Sequence, residues 1–338
     1  MEVDHEPPIR AVALLSGGLD STLAIRLVQE QGIGVVALNF TSSFCTCSPK
    51  RGGCNLAGEV ARDLGVPIRV LVKGLDYLKI VERPRFGHGR GMNPCIDCRI
   101  YMLRKAAEVM AEEGASFVFT GEVLGQRPMS QHRRAMDLIE RESGLAGFLL
   151  RPLSAHLLEP TVPEARGWVD RDRLLAIEGR SRREQLTLAR ERGVELFSCA
   201  AGGCRLTDPA IARRVRDLFR FCPDYDLQDA RLCNTGRHFR LRDGLKAIVG
   251  RDETENLRLA TAAPRYGRIE LVDRLGPLML ARGEVAAGDL RPLGRLLRHY
   301  AKKIEGPNVV LRFSTEGRTR EVPAPDAATP EEVAGWRI

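Results

Sequence analysis

The chain has 338 residues, more than one compact hydrophobic core usually holds, so we expect at least two domains. Its 43% hydrophobic and 28% charged residues are ordinary for a folded protein, and no apolar run approaches the roughly 20 residues of a membrane helix. The polar start MEVDHEPPIR does not resemble a signal peptide. We therefore expect no membrane association and a cytoplasmic location.

The net charge of +8 is concentrated in the second half of the chain. Residues 1–178 hold 22 basic and 22 acidic side chains, whereas residues 179–338 hold 30 basic and 22 acidic side chains. A neutral half followed by a basic half indicates a catalytic module joined to a module that binds a polyanion. An arginine-rich coding bias with solvated arginines is the alternative explanation.

The first half of the chain alternates between strand and helix patterns. The apolar run 10–15 predicts a buried strand, and a helical pattern follows it and stops at Gly32. Further strands are predicted at 33–40, 67–74, 116–122 and 148–154, with helices at 54–65 and 95–113. This alternation predicts an α/β fold with a doubly wound, mostly parallel sheet, which binds ligands beyond the carboxyl ends of its strands.

The pattern changes after residue 178. Helices are predicted at 181–193 and 208–221, and strands at 237–241 and 246–251 form a hairpin around Asp243-Gly244. A short helix, more strands and a helix over 289–304 follow, and the tail 322–332 is expected to be loose. We therefore predict a catalytic domain at 8–178, a helical connector at 179–235 and a smaller α+β domain at 236–338.

The hexapeptide Ser16-Gly17-Gly18-Leu19-Asp20-Ser21 lies between the first strand and the first helix. Its glycines let the backbone N–H groups point inward and bind an anion, and the hydroxyls of Ser16 and Ser21 can donate to phosphate oxygens. Asp20 beside a polyphosphate requires Mg²⁺ as a bridge. The loop lacks the GK[ST] sequence of a Walker A motif.

This hexapeptide resembles the SGGxDS signature of the PP-loop ATPases. The resemblance implies that the chain binds ATP and cleaves it between the α- and β-phosphates, which leaves an adenylated intermediate and pyrophosphate. It also implies that Asn39 and Phe40, at the end of the second strand, line the adenine pocket.

Two further motifs indicate which kind of PP-loop enzyme the chain resembles. Asn93-Pro94-Cys95-Ile96-Asp97-Cys98 resembles the NPC-x-x-C segment of tRNA 2-thiouridylases. The stretch 120–126, TGEVLGQ, followed by Ser130-Gln131, resembles a motif of 4-thiouridine synthetases and adds Gly121 and Gln126 to the predicted nucleotide site. Both resemblances lie within residues 8–220. In contrast to standard 4-thiouridine synthetases, we expect no N-terminal RNA-binding extension before the ATPase domain.

The nine cysteines do not suggest a disulfide framework, because cytosolic thiols stay reduced. Cys95 and Cys98 begin a predicted helix, whose N-terminus stabilises thiolates, and a third thiol is expected from Cys204, with Cys199 as the alternative. The resemblance implies a [4Fe-4S] cluster on Cys95, Cys98 and Cys204, with one iron free to carry hydrosulfide. A persulfide relay and a structural Zn²⁺ are the alternatives. The group at 45, 47 and 54 could form a second metal or sulfur site, or isolated thiols.

The segments around 236–240 and 248–256 resemble the RNA-binding module of NFACT proteins. The arginines of the first segment and an arginine and lysine stripe on the helix over 289–304 suit the phosphates of an RNA backbone. The predicted RNA-binding residues are Arg237, Arg240, Arg291, Arg295, Arg298 and Lys302.

Together these features predict an ATP-dependent tRNA sulfurtransferase. It would adenylate a uridine carbonyl oxygen and replace that oxygen with sulfur, giving 4-thiouridine or 2-thiouridine. Asp20, Cys95, Cys98 and Cys204 are the predicted catalytic residues. The expected partners are tRNA and a sulfur donor, either sulfide or a cysteine desulfurase, and a homodimer is left open. A PP-loop amide synthetase or amidohydrolase and a non-catalytic RNA-binding adaptor are the competing hypotheses.

Overall fold

The structure is a computed structural model that describes residues 8–45, 56–197, 203–262, 264–301, 309–315 and 317–338. The chain divides into two compact units, Met1–Arg205 and Leu206–Ile338. Within the described ranges, no helix combines the length and the apolar character needed to cross a bilayer.

The first unit is built on a five-stranded sheet in which every neighbouring pair is parallel. The strand order is β3-β2-β1-β4-β5, so the chain builds outward from the central β1 to one edge and then to the other. This is the doubly wound arrangement predicted from the alternating pattern, and the prediction is confirmed. The strands are β1 (Arg10–Leu14), β2 (Gly34–Thr41), β3 (Ile68–Val72), β4 (Phe117–Thr120) and β5 (Leu149–Leu150).

Helices cover both faces of this sheet. Ala11 and Ala13 of β1 share a core cluster with Ile25, whereas Val12 shares another with Leu103. Successive residues of a strand point to opposite faces, so the helices that hold Ile25 and Leu103 lie on opposite sides. The helices are α1 (Leu19–Gln29), α2 (Leu56–Asp63), α3 (Leu75–Glu82), α4 (Cys95–Glu112), α5 (Arg133–Ser143), α6 (Val162–Ala165) and α7 (Arg183–Glu191), with 3-10 turns at Ala155–Leu157 and Arg171–Arg173.

The second unit is built on a six-stranded antiparallel sheet in the order β11-β10-β8-β9-β7-β6. The hairpin predicted around Asp243-Gly244 is confirmed as β6 and β7. The strands are β6 (Arg237–Arg242), β7 (Leu245–Val249), β8 (Tyr266–Leu271), β9 (Met279–Arg282), β10 (Val310–Thr315) and β11 (Arg318–Pro323). The helices are α8 (Pro209–Phe221), α9 (Leu227–Leu232), α10 (Glu253–Ala260), α11 (Leu290–Tyr300) and α12 (Pro330–Trp336), with 3-10 turns at Arg205–Thr207 and Ala287–Asp289.

Two helices pack on opposite faces of the antiparallel sheet. Leu293 and Leu297 of α11 share a cluster with Met279, whereas Leu259 of α10 shares a cluster with Leu280. Met279 and Leu280 are consecutive residues of β9 and therefore point to opposite faces. The sheet thus has an α11 face and an α10 face.

The tail was expected to be loose, and this expectation is wrong. Residues 318–323 form β11, which pairs with β10, and α12 follows. Thr329 caps α12 by accepting from the N–H of Glu332, and the Glu332 carboxylate accepts from the N–H of Thr329. This capping box and the burial of Val333 in the core fold a segment whose composition alone is typical of a loop.

The segment predicted as a helical connector, 179–235, is divided between the two units. In the first unit, Ala189 of α7 shares a core cluster with Leu23 of α1. In the second unit, Asp208 caps α8 as expected for a residue before Pro209. The three-domain division itself stays a prediction.

A buried ion group ties α8 to the sheet of the second unit. The Asp217 carboxylate accepts from Arg240 of β6 at 3.0 and 2.8 Å and from Lys246 of β7 at 2.8 Å. Burial alone would raise the pKa of Asp217, but the hydrogen bonds from Arg240 and Lys246 hold it below its ordinary value. Two cations at this packing surface therefore depend on one carboxylate.

We expect Asp217→Ala to lower the free energy of unfolding of the second unit by about 3–5 kcal/mol, because the buried Lys246 and the half-buried Arg240 lose their partner. The fluorescence of Trp336, followed through urea denaturation in a Trp168→Phe background, measures this change.

The contribution of Asp217 should be fully present above its ordinary pKa of about 3.9 and be lost as the pH falls through the lower folded value. The difference between the two proteins should therefore shrink below about pH 4. The exposed Asp326→Ala is the control and should leave the stability unchanged. An equal loss in both variants would contradict the assigned role of Asp217.

Candidate functional site

The loop Ser16–Ser21 lies at the carboxyl end of β1 and leads into α1, as predicted. Gly17 has a φ of +74°, and a Cβ there would lie 3.2 Å from the backbone N of Ala57 in α2. The N–H of Ser16 donates to the Ser21 hydroxyl oxygen at 3.3 Å, and that hydroxyl donates to the carbonyl of Gly18 at 2.9 Å. The loop is therefore held in shape by its own hydrogen bonds, which is what a preformed anion site needs.

The Asp20 carboxylate, in the first turn of α1, uses only one of its oxygens for protein contacts. Gln126 and Arg182 both donate to Oδ2, at 3.3 and 3.4 Å. Oδ1 is buried and has no hydrogen-bond partner among the described residues. A buried carboxylate oxygen without a partner is unfavourable by about 1–3 kcal/mol, so this oxygen suits a cation such as Mg²⁺.

Gly121, which follows β4, lies against the phosphate loop. A Cβ at this position would be 2.4 Å from both the carbonyl carbon and the oxygen of Asp20, and 2.5 Å from the N of Ser21. Only glycine allows this approach, because the opposing atoms are backbone and cannot rotate away. The structure thus brings the predicted residues Gly121 and Gln126 directly to Asp20.

The next residue, Glu122, connects the phosphate loop to the helix that carries the cysteines. Its buried carboxylate lies 3.2 Å from Arg99 of α4 and 3.4 Å from Arg151. Burial alone would raise the pKa of Glu122, but the two guanidinium charges lower it. Since Arg99 directly follows Cys98, this ion group fixes the position of the cysteine pair.

The NPC motif forms the start of α4. The Asn93 side chain donates to Cys95 Sγ at 3.1 Å and accepts from the N–H of Gly91. The buried Asp97 carboxylate accepts from the backbone N–H groups of Arg85 and Phe86, at 2.9 and 3.1 Å. The motif therefore orients one thiol and anchors the preceding loop to the helix.

Cys98 lies beside two residues that the sequence analysis missed. Lys73 Nζ donates to Cys98 Sγ at 3.0 Å, and the Tyr77 hydroxyl donates to it at 3.4 Å. Burial alone would raise the pKa of Cys98, but the charge of Lys73 and these hydrogen bonds lower it, which favours the thiolate. A signal for Lys73 exists in the sequence, because a lysine directly follows the apolar strand at 68–72.

The third predicted cysteine, Cys204, lies close to the same tyrosine. Burial and the charge of Cys98 raise the pKa of Tyr77, and Cys204 and Cys95 add to this effect. Cys204 also forms a backbone bridge with Cys45. A Cβ at Gly203 would meet nothing within 4 Å, so close approach at this glycine does not explain the position of Cys204.

Other predicted cysteines lie outside the described residues, namely Cys47, Cys54 and Cys199. Within the described ranges, no three His, Cys, Asp or Glu side chains converge on one metal-ion position. Cys222 and Cys233 are buried in the second unit, and burial raises the pKa of Cys233 to about 11.

The residues predicted to line the adenine pocket lie at the end of β2. Asn39 is buried, and its amide donates to the carbonyl of Leu15 at 2.7 Å, which holds the end of β1. Phe40 is half-buried, and its ring centroid is 5.9 Å from Lys73 Nζ. Phe40 therefore borders both the strand end and the lysine that contacts Cys98.

The predicted RNA-binding residues differ in their availability. Arg240 donates hydrogen bonds to the Asp217 carboxylate, and Arg295 forms an ion pair with Glu332 at 2.6 Å. Arg237 donates to the carbonyl of Gly250 and lies 4.6 Å over the Tyr300 ring. The remaining predicted positions comprise the exposed Arg291, the half-buried Arg298 and Lys302, which lies outside the described residues.

Two further arginines were missed because they lie on a strand for which the sequence analysis gave no prediction. Arg318 and Arg320 are exposed on β11, the edge strand of the second sheet. Arg320 is paired with Phe313 of β10, whose side chain lies in the core under α11. The two arginines therefore point to the α11 face, which also carries Arg291. Charges on an edge strand also discourage unwanted strand pairing.

Comparisons with known families match both parts of the chain. Residues 9–159 match the family described as "Thiamine biosynthesis protein (ThiI)". Residues 236–337 match the family described as "NFACT protein RNA binding domain". The first segment is thus similar to the ThiI family, and the second is similar to the NFACT RNA-binding family. These matches confirm the family resemblances predicted from the sequence.

Curated relatives of this chain carry the names of tRNA-thiolating enzymes. The tRNA-specific 2-thiouridylase MnmA of Xanthobacter autotrophicus is 28% identical over 47% of this chain and 44% of its own length. A probable tRNA sulfurtransferase of Methanosarcina mazei is 32% identical over 35% of this chain and 29% of its own length. The chain thus spans less than half the length of these relatives.

Two solved structures show a distant likeness. One is a 4-thiouridine synthetase–RNA complex with bound ATP, with 22% identity, 67% coverage of this chain, 52% of that chain and a TM-score of 0.38. The other is the U34-tRNA thiolase NcsA from Methanococcus maripaludis with its [4Fe-4S] cluster, with 16% identity, coverages of 67% and 69% and a TM-score of 0.35.

We expect Gly121→Ala to weaken ATP binding at least about tenfold, or about 1.4 kcal/mol, because the new methyl group displaces the backbone of Asp20 and Ser21. Isothermal titration calorimetry with Mg²⁺–ATP measures the loss. A Cβ at Gly288 meets nothing within 4 Å, so Gly288→Ala serves as the control. Unchanged affinity in the Gly121 variant would show that the loop tolerates displacement.

Proposed function

We propose that this protein is an ATP-dependent tRNA sulfurtransferase that adenylates a uridine carbonyl oxygen and replaces it with sulfur. One observation carries the proposal. Gly121 and Glu122 are consecutive residues, and they connect the phosphate loop at Asp20 to the cysteine helix at Arg99. A nucleotide site and a thiol site that share one strand end are what a reaction joining ATP cleavage to sulfur transfer requires.

The nucleotide half of the reaction belongs to the loop Ser16–Ser21. ATP would bind there, with Mg²⁺ on the unpartnered oxygen of Asp20. The uridine carbonyl oxygen attacks the α-phosphate, and pyrophosphate leaves. This step is needed because a carbonyl oxygen is a poor leaving group, whereas AMP is a good one. Positioning and charge neutralisation supply most of the rate.

The sulfur half belongs to Cys95, Cys98 and Cys204. Sulfide held among these thiols attacks the activated carbon, a C–S bond forms, and the C–O bond breaks as AMP leaves with the former carbonyl oxygen. Lys73 and Tyr77 act on Cys98 by donating to its sulfur, which keeps the thiolate form available. The sulfur donor, sulfide or a cysteine desulfurase, stays a prediction.

The donor set fits a [4Fe-4S] cluster held by Cys95, Cys98 and Cys204. Cys95, Cys98 and Cys204 all act on Tyr77, which places these three thiols in its neighbourhood. Three thiolates can each bind a different iron of such a cluster. When bound, such a cluster would supply an iron without a protein ligand as a binding position for sulfide.

The RNA is proposed to bind the second unit. This assignment is supported by the match to an RNA-binding family, by the exposed Arg291 of α11, and by the exposed Arg318 and Arg320 on the sheet face that α11 covers. The family description of the first domain names thiamine biosynthesis, but an RNA-binding module in the same chain favours tRNA as the substrate.

We expect Asp20→Asn to reduce AMP formation from ATP and uridine-containing tRNA by at least about a hundredfold, because the variant loses the charge that holds the metal. Thin-layer chromatography of labelled AMP and mass spectrometry of tRNA nucleosides measure the two products. Asp63→Asn, an exposed change on α2, is the matched control. Thiouridine formation at the wild-type rate in the Asp20 variant would refute the proposed role of this loop.

We expect the double variant Arg291→Ala, Arg320→Ala to bind tRNA more weakly and with a shallower salt dependence. Each lost phosphate contact should reduce the slope of log K against log salt by about 1. Filter binding over a range of salt concentrations measures the slope.

The control for this experiment is Arg258→Ala, because Arg258 is exposed on α10 and so belongs to the opposite sheet face. It should leave both the affinity and the slope unchanged. An effect of Arg258→Ala equal to that of the double variant would mean that the α11 face is not the binding surface.

A further inference from the structure

Cys45 and Cys204 lie directly opposite each other in the first unit. They form an isolated antiparallel bridge between the loop after β2 and the segment after α7. The N–H of Arg205 donates to the carbonyl of Phe44 at 3.0 Å, so the hydrogen bond flanks the cysteine pair and does not join the two cysteines. In such a pair the Cα atoms are about 4.5 Å apart, and a disulfide needs about 4.4–6.8 Å. The backbone therefore already meets the main requirement for a bond between these sulfurs.

The surroundings of the pair favour reactivity. Both thiols are half-buried, so small oxidants can reach them, whereas Cys222 and Cys233 are buried. The N–H of Ser42 donates to Cys45 Sγ at 3.2 Å, which helps to fix the position of this sulfur.

The proposed mechanism does not use Cys45, although this residue lies opposite Cys204, one of the proposed sulfur-binding thiols. Its loop begins where β2 ends, at the same edge of the sheet as the phosphate loop. A bond from Cys45 to Cys204 would remove a thiol from the group around Tyr77. The two states of this pair would therefore differ in the number of thiols available at the site.

We infer that Cys45 and Cys204 form a reversible dithiol–disulfide couple that withdraws Cys204 from the thiol site when it is oxidised. The oxidant is a low-molecular-weight disulfide. One cysteine thiolate attacks it and releases one thiol, and the second cysteine then displaces the other thiol. The two cysteines lose two protons and two electrons, and the oxidant gains them. Only the consequence for sulfur transfer rests on the proposed function, because the disulfide itself rests on the bridge.

Disulfide mapping of the full chain tests the couple. Metal-free protein, prepared without oxygen, is equilibrated in glutathione buffers from fully reduced to strongly oxidised, alkylated and digested with trypsin. We expect the peptide 27–50 to become joined to the peptide 193–205 under oxidising conditions, with loss of a pair of alkylatable thiols. Excess reduced glutathione should release both peptides.

Matched variants identify the sulfurs, because each peptide holds a second cysteine, Cys47 or Cys199, outside the described residues. The cross-link should be lost in Cys45→Ser and in Cys204→Ser and be retained in Cys47→Ser and in Cys199→Ser. Circular dichroism verifies that all four variants fold. A cross-link that persists without Cys45 or Cys204, or wild-type thiols that stay alkylatable throughout, would overturn the inference. The readout uses neither ATP nor tRNA, so its outcome is independent of the proposed activity.

Discussion

The geometry of the proposed active site depends on the ion pairs that the buried Glu122 carboxylate forms with Arg99 and Arg151. Glu122 is 2% exposed, and it is held ionised by the arginines that flank it. One of these, Arg99, belongs to the cysteine helix, while the residue before Glu122 is the glycine that lies against Asp20. A buried ion pair with one partner removed is strongly unfavourable, so the helix and the strand end are held together. The separation of the phosphate loop from Cys98 is therefore set by one ion group.

Lys73 provides the second electrostatic constraint. It is a buried cation whose ammonium group contacts the sulfur of Cys98 and lies 4.7 Å over the Tyr77 ring. A buried ammonium is favourable only with compensating partners, and a thiolate is the strongest one available here. The same side chain borders Phe40, on the nucleotide side of the sheet edge. Its charge therefore stabilises the nucleophile form of sulfur close to where the activated substrate would lie.

The second unit shows why a net positive charge does not by itself locate an RNA-binding surface. Arg240 and Lys246 contribute to the excess of positive charge, but both form ion pairs with Asp217 inside the fold. The exposed guanidinium groups on α11 and on the edge strand β11 are accessible to phosphates. A set of arginines predicted from helical spacing therefore includes some that form ion pairs within the fold and others that are exposed on the surface.

The sequence by itself determined the parallel α/β sheet, the phosphate loop and the cysteine pair at a helix start, because each depends on residues close together along the chain. Helical and strand periodicity and the Ser16–Ser21 motif are local signals of this kind. Tertiary structure alone decided that Arg182 contacts Asp20, that Lys73 and Tyr77 surround Cys98, and that the tail folds. It also placed Cys45 opposite Cys204. The residues in these pairs are separated by between 21 and 162 positions along the chain. A periodic sequence pattern does not show which of such distant side chains will meet when the chain packs.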